Sequence, residues 1–170
     1  MNFQIRPYQE SDAPAIRDII NDSILNTFHN YDYDPKTLED VIALFAAKIR
    51  DGFPVLIAES DGILAGYATF GKFRAKPGYD GTVEHSIYLT KAAQNQGLGG
   101  KFMSQLIGMA RDRGHHVMIA GLDSENLSSY RFHERLGFKE VARFPNVAFK
   151  FNKWLTLVFM QLELTSVEKR

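Results

Sequence analysis

Three places in this chain carry residue types and spacings that could do chemistry. The first is Gln94-Asn95-Gln96-Gly97-Leu98-Gly99-Gly100, three glycines in four positions just ahead of a helical pattern. Gly99, Phe102, Met103, Leu106, Ile107 and Ala110 then recur at spacings of three and four, which predicts a helix running to Arg113 and ending at Gly114. Free amides at such a helix start carry the positive end of the dipole and suit a pyrophosphate. The dinucleotide fingerprint G-x-G-x-x-G is not met, because the third glycine comes too early. A phosphate loop of the G-x-x-x-x-G-K-[ST] type is excluded by Asn95 and Phe102. A tight turn with packing glycines accounts for the loop equally well.

The second place is Glu84, in the alternating run Val83 to Leu89. Glu84, Ser86 and Tyr88 share one face of that strand, and His85, Ile87 and Leu89 the other. Burial would raise a carboxyl there toward neutrality and make it a proton acceptor; an exposed edge or bulge would leave it structural. The third is Asn126 to Phe138. His133 lies three residues from both Tyr130 and Leu136, on the inward face of a helix that Asn126 can cap. A core histidine with its hydrogen bonds satisfied is the plain alternative. His115-His116 are adjacent, lack metal-ligand spacing and read as surface.

These sites need a scaffold, and turn signals outline it. Phe3 to Arg6 reads as a strand, and Ser11-Asp12-Ala13-Pro14 starts a helix with Ile16, Ile19, Ile20 and Ser23 on one face. Asp34-Pro35 starts a second helix that runs to Arg50 and stops at Gly52. Pro54 to Glu59 and Leu64 to Phe70 are strands around the hairpin signal Asp61-Gly62. Gly71 to Asp80 is a polar loop. Further strands fall at Val117 to Gly121, Lys139 to Phe144 and Trp154 to Leu164, with a helix from about Leu127 to Gly137. The alternation predicts an α/β architecture in one domain over residues 1–170.

Composition narrows the function classes. The chain has 170 residues, 45% hydrophobic and 24% charged, which is ordinary for a folded domain with its own core. Its 20 basic residues balance 20 acidic ones, which argues against broad electrostatic binding to nucleic acid or anionic membrane. With no cysteine, disulfides, thiolate metal sites and a cysteine nucleophile are excluded, which fits a cytoplasmic setting. The start MNFQIRPYQESD lacks the apolar run of a signal peptide.

Gln94-x-x-Gly97-x-Gly99 after Ile87-Tyr88-Leu89, followed by Asn126-x-x-Ser129-x-x-x-His133-x-x-x-Gly137-Phe138, resembles the two signatures of the GNAT N-acetyltransferase superfamily. Thr82-Val83-Glu84-His85-Ser86-Ile87-Tyr88, Phe73-Arg74-Ala75-Lys76, Phe132 to Phe138 and the Trp154 strand resemble its phosphinothricin and methionine sulfoximine N-acetyltransferases. The resemblance covers nearly the whole chain. It implies a central mixed, mostly antiparallel sheet that splays in the middle and is flanked by helices. It also implies acetyl-coenzyme A as cosubstrate, no metal, and a homodimer. The cosubstrate would be held by Ile87, Tyr88 and Leu89, by Gln94, Asn95, Gln96, Gly97, Leu98, Gly99 and Gly100, and by Asn126. Glu84 and His133 would be catalytic, and the acceptor would meet Arg74, Lys76, Glu84, His85 and Ser86. The acceptor would be a small amino-acid-like amine, which attacks the acetyl group in a ternary complex once a base has removed its proton. Arg74 could hold its carboxylate as a bidentate fork, and Phe28, Tyr31 and Tyr33 could wall its pocket. A polyamine, aminoglycoside or protein N-terminus as acceptor, or a non-catalytic acyl-coenzyme A sensor, are the other possibilities.

Overall fold

Turn chemistry fixes the first half of the chain in the computed structural model, which describes residues 2–165. Strand β1 is Gln4–Pro7, and helix α1 is Ala13–Asn26 with a proline in its first turn. Helix α2 is Leu38–Arg50. It starts later than Asp34-Pro35 suggests, because Thr37 and Asp40 close a reciprocal cap: the Asp40 amide donates to Thr37 Oγ1 (3.1 Å) and the Thr37 amide to Asp40 Oδ2 (2.8 Å). Strands β2 (Val55–Ser60) and β3 (Ile63–Lys72) turn at Asp61 and Gly62, both with positive φ, as a tight hairpin requires.

The second half supplies β4 (Thr82–Leu89), α3 (Leu98–Asp112), β5 (Val117–Asp123), α4 (Leu127–Arg135), β6 (Lys139–Lys150) and β7 (Lys153–Glu163). Strand β6 runs six residues beyond the expected Phe144. Its register with β7 is irregular between Phe144 and Ala148, where Asn146 has φ 55. Pro145 marks that irregularity rather than the strand's end.

Among the described residues seven strands form one sheet, ordered β1-β2-β3-β4-β5-β7-β6. Every pairing is antiparallel except β4 with β5. Helices α1 and α2 cover one face through Ile16, Ile20, Ile24, Val41 and Phe45. Helix α3 covers the other through Leu98, Phe102, Met103, Leu106 and Ala110. Alternation along β4 therefore aims Val83 and Ile87 at the α3 side and Tyr88 at the α1–α2 side.

Candidate active site

The parallel pairing of β4 with β5 covers only three register pairs, the last being Glu84 with Ile119. Beyond it β4 continues to Leu89 against β3, and β5 continues to Asp123 against β7. The two central strands thus part, and a cleft opens in the middle of the sheet. Ser86 and Gly121 stand exposed on its two sides, although both lie on interior strands.

Glu84 sits at the apex of this opening, on the α1–α2 side. Its carboxylate rests over Gly121: a Cβ there would lie 2.9 Å from Glu84 Oε1 and 3.2 Å from the Phe159 ring. Burial holds the Glu84 carboxyl above its ordinary range, opposed by the charges of Arg74 and Lys48. Lys48 reaches in from α2 and donates to the Phe70 carbonyl (3.4 Å). Arg74 is exposed and lies over the Phe73 ring at 5.0 Å, and Phe73 meets Phe159 edge-on. Lys76 is exposed at the start of a short 3-10 turn, and among the described residues it joins no ion pair.

The segment between α1 and α2 crosses the opening on this same side. Asn30 Nδ2 donates to Tyr88 Oη on β4 (3.4 Å), and Tyr31 Oη donates to Asp123 Oδ2 on β5 (2.7 Å). Burial, and then Asp123, hold the Tyr31 phenol well above its ordinary range, so it stays a donor. Lys150 of β6, 4% exposed, donates to the carbonyls of Thr27 (3.0 Å) and Asn30. Tyr33 Oη donates to the Phe149 carbonyl. Residues 27–33 are thus strapped to β4, β5 and β6.

On the α3 side the opening meets the glycine loop. Gly97 is the residue before α3 and has φ 78, a conformation costly for other L residues. The first helical bond runs from the Lys101 amide to the Gly97 carbonyl, which leaves the amides of Leu98, Gly99 and Gly100 without helical partners. A Cβ on Gly97 or Gly100 would meet nothing within 4 Å, whereas one on Gly99 would touch Phe132 at 3.5 Å. Gly99 therefore packs α3 against α4, and the open space lies at Gly97 and Gly100.

His85 and His133 meet on this side. Their Nε2 atoms are 3.0 Å apart, and His133 Nδ1 lies 2.7 Å from the Ser129 carbonyl. Burial, with His133 beside it, pushes the His85 imidazole down to about 3. Burial also lowers His133, against the pull of the Ser129 carbonyl. Asn126 caps α4, its Oδ1 accepting from the Ser129 amide (3.1 Å).

A family model described as an acetyltransferase (GNAT) domain matches residues 5–158. The chain belongs to the GNAT acetyltransferase family. It is 43% identical to the L-amino acid N-acyltransferase MnaT of Escherichia coli, over 95% of this chain and 94% of that protein. It is 42% identical to the L-methionine sulfoximine/L-methionine sulfone acetyltransferase of Salmonella typhimurium, over 94% of each. The GNAT phosphinothricin acetyltransferase of Sinorhizobium meliloti, solved with acetyl-coenzyme A, superposes with a TM-score of 0.92 at 30% identity, over 96% of this chain and 89% of that one.

This GNAT chain is thus an acetyl-coenzyme A-dependent N-acetyltransferase, and its own residues fit that cosubstrate. The free amides of Leu98 to Gly100 and the open space at Gly97 and Gly100 offer a cradle for an anionic group. Beside them, β4 from His85 to Leu89 has no register partner on β5.

The geometry places the two histidines on the face of β4 away from Glu84. The His85 side chain faces away from Glu84, buried against His133 and Phe138. Both nitrogens of His133 are engaged, one by His85 and one by Ser129. Arg74, Glu84 and Ser86 do lie toward the same side. Sequence reading missed Lys48, Asn30, Gly121, Asp123 and Lys150. A carboxylate closing the apolar run Val117 to Leu122 was a usable signal for Asp123, by the reasoning applied to Glu84.

Proposed function

We propose that this enzyme acetylates the α-amine of a small amino-acid-like acceptor of the methionine sulfoximine, methionine sulfone or phosphinothricin kind. The observation that carries the reading is the placement of Glu84: a desolvated carboxyl at the apex of the opening, within the field of the Arg74 and Lys48 charges. The names of the relatives point to the same acceptors.

An ammonium has no lone pair, so its proton must leave before nitrogen can attack. Glu84, raised toward neutrality by burial, accepts that proton directly or through a water. Arg74, exposed at the rim, holds the α-carboxylate and orients the amine. The cosubstrate supplies an acetyl group as a thioester, whose C–S bond breaks as the new C–N bond forms. A thiol of reference pKa about 8.5 leaves readily as thiolate, so no strong acid is needed opposite Glu84. Polyamines and aminoglycosides suit this site poorly, since Arg74 and Lys48 would repel them.

We further infer one domain over residues 1–170, a cytoplasmic setting and a homodimer. Among the described residues no helix is long and apolar enough to cross a membrane. The outer strands β6 and β7 expose Val141, Phe144, Val147, Phe149 and Trp154, an apolar margin suited to a second copy. The test is thiol release from acetyl-coenzyme A across L-amino acids, their analogues and carboxylate-free amines. Turnover should require both an α-amine and a carboxylate. Preference for polyamines or aminoglycosides would overturn the acceptor class.

A further inference from the structure

We propose that the His85–His133 hydrogen bond is a brace that sets the width of the β4–β5 opening at its apex, and that both histidines act by position rather than by proton transfer. His85 is the first β4 residue past the last register pair with β5, Glu84 with Ile119. Backbone pairing between the two strands stops there. One residue later the His85 side chain bonds to α4, the helix that continues directly from β5 through residues 124–126. A side-chain bond thus takes over where the backbone ladder ends.

The protons follow from the partners. The Ser129 carbonyl can only accept, so His133 Nδ1 carries the hydrogen of that 2.7 Å bond. The Nε2 of a neutral His133 is then a lone pair, and the 3.0 Å contact requires the hydrogen to sit on His85 Nε2. His85 Nδ1 is left bare, and it is buried with no hydrogen-bond partner among the described residues. A second proton would have to enter at that atom, where no acceptor waits. Phe138 packs edge-on against both rings and Phe132 against His133. Among the described residues Ser129 is the only other polar side chain hydrogen-bonded to the pair, its Oγ 3.4 Å from His133 Nδ1. The pair is neutral, buried and directional, as a spacer should be. His133 holds no proton aimed at the cleft.

The inference rests on the opening as the acetyl-coenzyme A cleft, and its test separates the two. His85→Phe and His133→Phe each strip the remaining histidine's Nε2 of its partner, whereas the double variant removes both rings and keeps ring-sized packing. Each single variant should lower Tm and raise the KM for acetyl-coenzyme A roughly ten-fold, equivalent to about 1.4 kcal/mol, with the acceptor KM little changed. The double variant should recover Tm, KM and most of kcat. A double variant that regains acetyl-coenzyme A affinity yet stays as slow as His133→Phe would overturn the brace and return His133 to proton transfer. Nitrogen-15 spectra of histidine-labelled wild type give an independent reading, needed if a single variant does not fold. They should show hydrogen on His133 Nδ1 and His85 Nε2, with neither ring titrating between about pH 5 and 8. Titration of either ring in that window would refute the proposal. Failure of wild type to bind acetyl-coenzyme A would remove the cleft assignment, while the spectra and the Tm cycle would still decide whether the bond exists.

Discussion

The carboxylate of Glu84 occupies the space that a side chain on Gly121 would need: an ideal Cβ there falls 2.9 Å from Glu84 Oε1. A base on one strand is thus placed by an absence on the next. Gly121→Ala must push Glu84 or Phe159 aside. A displacement near 1 Å can cost about 10²-fold, so kcat should fall by that order while the KM for acetyl-coenzyme A holds. Unaltered kcat in Gly121→Ala would mean that the position of Glu84 does not govern the reaction.

Glu84→Gln keeps the shape and removes the base. We expect kcat to fall roughly 10²–10⁴-fold and the wild-type rise of rate with pH to disappear. Stability should move the other way. The folded state holds this carboxyl above its ordinary value, so its contribution favours folding below the ordinary value and is lost as pH rises through the raised one. Glu84→Gln should therefore melt higher than wild type at neutral pH. Parallel pH–rate profiles for variant and wild type would remove Glu84 from the proton transfer.

Arg74→Ala should raise the acceptor KM roughly ten- to hundred-fold, as expected for one charge-assisted bond of about 1.5–3 kcal/mol. Because the carboxylate is held before and during reaction alike, kcat should change less. Arg74→Lys should recover only part, lacking the fork. The matching amine without a carboxylate should be poor with wild type and no poorer with the variant. Equal losses for both acceptors would make Arg74 a loop residue only.

At Gly97 the strain is backbone, not contact, since φ is 78 and no atom lies within 4 Å of a Cβ. Gly97→Ala carries a left-handed penalty of about 1–2 kcal/mol and should raise the acetyl-coenzyme A KM about ten-fold. Gly97→Asn, which tolerates the same φ, should do less harm. Isothermal titration of acetyl-coenzyme A against the folded variants checks this; equal affinities would detach the loop from the cosubstrate.

Tyr31→Phe deletes one hydroxyl and leaves Asp123 with a buried, unpaired oxygen. The strap then loses its anchor on β5. The acceptor KM should rise several-fold, with acetyl-coenzyme A affinity retained on the far side of the sheet. A rise in both KM values would show that the segment supports the whole fold rather than one pocket wall.

Most of the scaffold was legible because its turns are made by local chemistry. Asp61-Gly62, Gly114 and Gly137 mark element ends that depend on their own φ angles. The α2 start was misplaced because two competing signals lay three residues apart, and the Thr37–Asp40 cap prevailed over Pro35. Strand β6 extended past Pro145 because an edge strand tolerates a missing donor. At the site, Glu84 was legible as a polar residue in an apolar strand. Lys150, Asn30 and Gly121 were not, because their roles depend on partners 120, 58 and 37 residues away, which no local pattern encodes.

The early parting of β4 and β5 gives this sheet four margins instead of two. The outer pair, β1 and β6, meets solvent like any sheet border. The inner pair faces itself across the cleft, with helices above and below. Free N–H and C=O groups on a border normally invite another chain's strand, and proteins guard against it with charge, proline or cover. Here the guard is enclosure: a strand belonging to another sheet cannot follow its own neighbours into the middle of this one. A slender molecule with amides of its own can. The inner margins thus keep their backbone groups inside the cleft, out of reach of another sheet's strands.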